Sequence, residues 1–374
     1  MSAMTYRVLV LGGYGHFGAR IVRALAAMQQ IEVIAAGRHP QAVATTWPQV
    51  PSGRITACTL DIAAADFAVR LAATGAEVVV HTAGPFQGQD YAVARACLGA
   101  GMHYIDLADG RAFVQQFPTA VDALAQRVGR TAISGASTLP ALSSAVVDAL
   151  LPRLDVLDGI DLVIAPAQAT PLGLATVRAV LSYCGTPFTW WEAGRWQPVV
   201  GWARPQRVRF AQLAPRLAAP CDVPDHALLP ARYPGVRSVR FRAALELPLL
   251  QRGLAAIAWL RTHGVPLPMA RLAHVLARAG RWFDHFGSDL GGMRVELQGQ
   301  RAGKTCTLRW DLTAAMLHGP EIPCFAAILL VRKLAAGHTL PSGAHACVGL
   351  LTLAEFEQEF AAWQMHTTVS ETSA

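Results

Sequence analysis

Val8-Leu9-Val10-Leu11-Gly12-Gly13-Tyr14-Gly15-His16-Phe17-Gly18 decides the fold of this chain. A short apolar strand runs into a glycine turn, and Ala19-Arg20-Ile21-Val22-Arg23-Ala24-Leu25 then reads as a helix. Gly13, Gly15 and Gly18 satisfy G-x-G-x-x-G between a strand and a helix, the context that the pattern requires for dinucleotide binding. The first glycine permits the tight turn, the second lets the backbone approach a pyrophosphate, and the third lets helix and strand pack closely. The helix N-terminus holds the phosphate charge. Gly13, Tyr14, Gly15, His16, Phe17 and Gly18 are therefore the first expected cofactor contacts.

The second strand, Glu32-Val33-Ile34-Ala35-Ala36, ends in Gly37-Arg38-His39-Pro40. An NAD site usually places a carboxylate about 20 residues past the glycines, to accept from the ribose 2′-hydroxyl. Here Arg38 stands in that region. A guanidinium attracts a 2′-phosphate and offers no acceptor to a free hydroxyl. The pair Arg38 and His39 thus predicts NADP over NAD; the alternative is a solvated loop arginine.

Further apolar strands follow at 55–60, 77–81, 103–107 and 131–134, separated by helices near 63–74, 91–101 and 117–128. This alternation predicts an α/β domain over residues 1–140, a Rossmann doubly wound parallel sheet. Ligands of such sheets sit beyond the carboxyl ends of the strands. Asp61, after the third strand, is placed for the adenine end. Ala83, Gly84 and Pro85, after the fourth, would let the backbone pass close to the nicotinamide ribose, with Phe86 flanking the ring. Asp106 and Asp109, after the fifth, are candidate catalytic carboxylates, against the alternative of capping or a salt bridge with Arg111.

Past residue 140 the pattern changes. A strand at 161–165, a helix at 172–184, irregular sequence with short strands over 185–235 and apolar helical sequence over 243–283 lead to a hairpin. Its arms, Met293–Leu297 and Thr305–Trp310, alternate with period two. A helix at 321–336 and a shorter one near 353–363 close the chain, and Thr367–Ala374 reads as a loose polar tail. The expectation is a second α+β domain, 141–340, on a mixed or antiparallel sheet, serving substrate binding and dimerisation. The C-terminal helices, about 341–374, would pack back on the first domain.

Several of these stretches together resemble the saccharopine dehydrogenase-like family. They are Val8–Gly18, Gly37-Arg38, Ala83-Gly84-Pro85-Phe86, Ala96-Cys97, His103-Tyr104-Ile105-Asp106 and Gly135-Ala136-Ser137-Thr138-Leu139-Pro140. The resemblance covers about the first 150 residues and is thinner beyond, where Gly319-Pro320-Glu321-Ile322-Pro323 and Gly343-Ala344 are similar to the family's C-terminal part. It implies an oxidoreductase that uses NAD(P) to reduce an imine or cleave a secondary amine. Such chemistry needs an acid to deliver a proton and cations to hold substrate carboxylates. His318 and Glu321 are candidates for the first role, and Arg178, Arg232, Arg240 and Arg294 for the second.

Bulk properties bound the function. The net charge is +7, yet 30 of the 32 basic residues are arginines scattered along the chain, without the basic and aromatic runs of a nucleic-acid module. No apolar run reaches the roughly 18 residues of a membrane span, and the N-terminal apolar run, punctuated by glycine, is expected to be a strand and not a signal peptide. Seven dispersed cysteines without C-x-x-C, and twelve histidines without metal spacing, predict neither disulfides nor a metal. Trp190, Trp191, Trp196 and Trp202, with the apolar 243–283 segment, suggest an apolar pocket or a lipid-facing surface, or else a core plus homodimer interface.

The reading is a cytoplasmic, homodimeric, NADP-dependent oxidoreductase. It transfers hydride to or from a C=N, C=O or activated C=C group of a small-molecule substrate held between two domains. The alternatives are a non-catalytic NADP-binding protein and a membrane-surface-associated one.

Overall fold

A computed structural model describes residues 5–170 and 174–373. In chain order its first strands are β1 (Tyr6–Leu11), β2 (Ile31–Gly37), β3 (Ile55–Thr59), β4 (Val78–His81), β5 (His103–Asp106) and β6 (Thr131–Ser134). There follow β7 (Val156–Ala165), β8 (Pro187–Glu192), β9 (Arg195–Val200), β10 (Gln206–Val208) and β11 (Arg216–Pro220). The last are β12 (Ser238–Leu245), β13 (Gly291–Arg301), β14 (Lys304–Ala314), β15 (Gly343–Ala346) and β16 (His366–Ser373). The chain divides into two compact units, one holding residues to Ala141 with Glu321–Leu351, the other Leu142–Pro320 with the residues from Thr352.

The first unit is a doubly wound parallel sheet in the order β15-β6-β5-β4-β1-β2-β3. Strand order reverses between β1 and β4, the switch point at which such sheets bind ligands. Val8, Leu9 and Val10 of β1 and Val78, Val79 and Val80 of β4 are wholly buried. Strands covered on both faces have no polar alternation to show, so they read as continuous apolar runs. Each such side chain contributes roughly 1.5–3 kcal/mol by leaving water. The helix Arg111–Arg127 begins well before the expected start near 117. Pro118 lies inside it, and a proline in sequence reads as a first-turn residue.

The returning segment completes this unit. Helix Ile322–Ala335 packs on helix Gly18–Ala26, and β15 pairs with β6 along Gly343–Ala346. Asp122 Oδ1 accepts the Ala344 amide (2.8 Å), and Thr131 Oγ1 donates to the Pro341 carbonyl (2.9 Å).

The second unit carries a mixed sheet, β10-β11-β12-β7-β13-β14-β16, with the β8–β9 hairpin attached to β12. Among the described strands of this second sheet only the β12–β7 pair is parallel. The expected hairpin is β13–β14, in register from Gly291↔Ala314 to Arg301↔Lys304. Its two turn residues, Ala302 and Gly303, both have positive φ (51° and 76°), the twist that matches right-twisted strands. The helix expected at 172–184 is Leu174–Tyr183; residues 172 and 173 lie outside the described residues. Helices Pro248–Thr262 and Met269–Trp282 follow β12.

Two C-terminal expectations need correction. The part that packs back on the first unit is Glu321–Leu351, whereas helix Leu353–Ala362 and β16 belong to the second. The supposed polar tail is β16, antiparallel to β14 from Thr313↔His366 to Cys306↔Ser373. Its strand is held by backbone pairing at a sheet edge, which needs no apolar alternation.

Candidate functional site

The glycine turn is the most constrained backbone of the first unit. Gly12, not Gly13, takes the left-handed conformation (φ +83°) that only glycine adopts freely. The amides of Gly12 and Gly13 both bond to the Ala36 carbonyl (2.9 and 3.0 Å), and that of Gly15 to the Gly12 carbonyl (2.8 Å). A Cβ on Gly18 would stand 2.2 Å from the Gly12 carbonyl oxygen and 2.7 Å from Thr82 Oγ1, so the helix can approach the turn only with glycine there. On Gly15 the sole close atom would be the Gly12 oxygen, at 3.1 Å. The amides of Tyr14, His16 and Phe17 find no backbone acceptor among the described residues. Amides without a partner at a helix start suit an anion.

The side chains of the turn are held from the β2–β3 side. Tyr14 stacks at a tilt on Trp47 (5.3 Å), whose indole N–H donates to the Ala19 carbonyl (3.0 Å). Burial raises the Tyr14 phenol above its ordinary value, and burial with the neighbouring Arg20 lowers His16. Arg38 and His39 follow β2 directly and are exposed. Neither pairs with a carboxylate among the described residues. Asp61, past β3, accepts the Ala63 amide (3.1 Å) in a turn of its own.

Thr82, which sequence reasoning passed over, ties the turn to β4. Its Oγ1 and its amide both donate to the Leu11 carbonyl (3.0 and 2.8 Å). A hydroxyl directly after an apolar strand was the available signal. Beyond it Gly84 and Pro85 are exposed and joined by a cis peptide. Gln89 Nε2 braces this loop by donating to the carbonyls of Ala83 (2.9 Å) and Pro85 (2.8 Å). Phe86 is buried against His81 (5.0 Å) and Phe113 (5.5 Å), because a large apolar ring is better hidden than exposed.

The two carboxylates after β5 are placed very differently. Asp106 is 0% exposed, and its Oδ1 accepts from Ser134 Oγ and the amides of Ala108 and Gly135, each at 2.9 Å. It clasps the ends of β5 and β6. Burial pushes its carboxyl up to about 6, with those hydrogen bonds opposing. Nearby, His81 Nδ1 meets Tyr104 Oη (2.9 Å), and burial pulls His81 down to about 4, so it is neutral near pH 7. Asp109 keeps solvent access and accepts from Gln87 Nε2 (3.0 Å). It sits in dense surroundings whose desolvation raises its carboxyl above the ordinary value.

The remaining candidates carry other duties. Glu321 is buried and forms ion pairs with Arg20 (3.1 Å) and Arg23 (2.7 Å) of the helix after the glycine turn. His318 belongs to the second unit, where Trp363 covers its ring (4.9 Å) and the Trp363 carbonyl meets its Nδ1 (2.9 Å). Of the four arginines expected to hold substrate carboxylates, three have intramolecular ones. Arg232 pairs with Asp148 (2.7 Å), Arg240 with Glu192 (2.5 Å), and Arg294 with Asp311 through two bonds of 3.0 Å. Arg178 is exposed.

The strand order and the glycine turn at its switch point define a Rossmann-type dinucleotide-binding protein. Residues 8–133 match the family model described as the saccharopine dehydrogenase NADP binding domain. Among solved structures, saccharopine dehydrogenase (L-Glu forming) from Saccharomyces cerevisiae is similar with a TM-score of 0.70, at 12% identity, over 98% of this chain and 100% of that one. Homospermidine synthase from Legionella pneumophila, in complex with NAD, gives 0.64 at 12% identity over 98% and 91%. An amine dehydrogenase from Mycobacterium smegmatis gives 0.51 at 11% identity over 91% and 94%. These are likenesses of fold. No curated protein matches the chain in sequence.

Proposed function

We propose that the chain is an NADP-dependent oxidoreductase, transferring hydride to or from a C=N, C=O or activated C=C group of a small-molecule substrate. The observation that supports this best is the glycine turn at the switch point of β1 and β4. Its amides without backbone acceptors adjoin a β2 end that bears Arg38 and His39 and no carboxylate. The turn Gly12–Gly18 would hold the pyrophosphate, Arg38 and His39 the 2′-phosphate, and Asp61 the adenine end. Ala83, Gly84 and Pro85, braced by Gln89, would border the nicotinamide ribose. NADPH, when bound, supplies the hydride.

Asp109 is the residue we assign to proton delivery. It is accessible, oriented by Gln87, and its raised carboxyl retains a proton further up the pH scale than an ordinary aspartate. Asp106 serves as a positioning residue, fixing the exit of β6 through Gly135. Because Arg232, Arg240 and Arg294 already answer protein carboxylates, the preferred substrate need not be a multiply charged amino acid. Screening imines, ketones and enoyl compounds for NADPH oxidation tests the reaction class. With an active compound in hand, Asp109→Asn is expected to lower kcat by roughly a hundred- to ten-thousandfold and leave NADPH affinity unchanged. The wild-type reduction rate should fall as pH rises through the Asp109 carboxyl. An unchanged kcat in the variant removes Asp109 from the mechanism.

A further inference from the structure

Helices Pro248–Thr262 and Met269–Trp282 of the second unit turn large apolar side chains to solvent. An ordinary surface helix buries its apolar stripe and exposes charge. On the first helix and just past its end, Leu249, Arg252, Ala256, Trp259 and His263 recur at spacings of three and four, and all are exposed. On the second, His274, Val275, Arg278 and Trp282 are exposed, with Phe286 just beyond its end. The exposures are large: 65% for Leu249, 80% for Trp282 and 75% for Phe286. Of twelve large hydrophobic residues exposed among the described ones, six fall between 249 and 286.

The opposite side of the first helix already does the folding work. Ala258 and Gln251 are buried, Gln251 Oε1 accepts the Leu245 amide (2.9 Å), and Arg261 donates to the Cys184 carbonyl. On the other side, Leu249, Arg252, Ala256, Trp259 and His263 remain exposed.

Charge indicates what covers it. Arg252 and Arg278 are exposed on this face, and the single carboxylate of residues 248–286, Asp284, accepts from Gln168 Nε2 (3.0 Å). Arg178, exposed on the adjoining helix Leu174–Tyr183, donates to His274 Nε2 (2.9 Å) and adds to the basic surface. A two-fold contact with a second copy would set this surface against itself, arginine facing arginine with only Asp284, already engaged by Gln168, to answer. An anionic lipid surface meets both requirements: tryptophan rings lie at the headgroup level, and arginines reach phosphates with their stems along the apolar boundary.

We propose that these two helices dock the protein on an anionic membrane surface. The mode is interfacial, for no helix among the described residues is long and apolar enough to cross a bilayer. It is independent of cofactor binding.

The test is flotation of the full-length protein with phosphatidylcholine vesicles, with and without phosphatidylglycerol. The protein is expected to float with the anionic vesicles, to remain below with the neutral ones, and to release as salt rises. One basic residue near such a surface is worth roughly fivefold in partition, so Arg252→Glu with Arg278→Glu should cost roughly twentyfold or more. Trp259→Ser with Trp282→Ser should also abolish flotation. All four positions are exposed, so both variants should keep the wild-type melting transition. Absence of flotation by the wild type overturns the proposal. So do equal binding to neutral vesicles and unchanged binding by both double variants. Conversion of a wild-type dimer to monomer by the tryptophan variant, seen by light scattering, would assign the face to a second copy instead.

Discussion

Asp225 shows how far a single carboxyl can be displaced by its surroundings. It is wholly buried, Ser143 donates to its Oδ1, and its Oδ2 has no partner. Burial pushes it up to about 7. In the unfolded chain an aspartate releases its proton near pH 4. Between those values the folded form holds a proton that the unfolded form has lost, so stability drains as pH rises from about 4 to 7. Asp225→Asn, neutral throughout, should remove that decline. Melting temperatures of the two proteins should diverge across this window, in favour of the variant at the upper end; parallel curves would show Asp225 to be ionised in the fold. None of this was legible in sequence, where a lone aspartate before a histidine carries no sign of burial. Asp106 and Asp109 were legible as a pair past a strand end, yet only packing distinguishes the inward carboxylate from the accessible one.

At the scale of elements, the parallel strands were readable because burial on both faces forces uninterrupted apolar sequence. The polar strand β16 was not, since its place is set by the edge of β14 and not by its own side chains. The glycine turn was found in the right place with its first glycine shifted by one. Gly12-Gly13 offers two candidates for the tight-turn glycine, and the deciding quantity, φ, is invisible in sequence. Contacts predict unequal roles for the others. Gly18→Ala forces a Cβ onto the Gly12 carbonyl and Thr82, and should destabilise the first unit by the amount expected of an overpacked core site, about 1–3 kcal/mol, with a correspondingly lower melting temperature. Gly15→Ala meets a single atom at 3.1 Å and should cost much less stability. Equal melting of the two variants would contradict the packing described.

The whole molecule is discontinuous in a way that local patterns do not report. β15 pairs with β6 across about two hundred residues of intervening chain, and such long-range pairing leaves no local mark. The sequence still suggested that late residues return to the first domain; it misplaced which ones. Residues 1–141 expressed alone should therefore be unstable, with the β6 edge unpaired and the surface covered by helix Ile322–Ala335 exposed. A monomeric, cooperatively melting 1–141 fragment would show the returning segment to be dispensable.

We propose that a dinucleotide binds at the switch point of β1 and β4 and that Arg38 selects it. The direct test is calorimetric titration of the wild type and of Arg38→Ala with NADPH and with NADH. NADPH is expected to bind the wild type much more tightly than NADH, and the variant to lose that preference with NADH affinity little changed. Failure of the wild type to bind either nucleotide would contradict it.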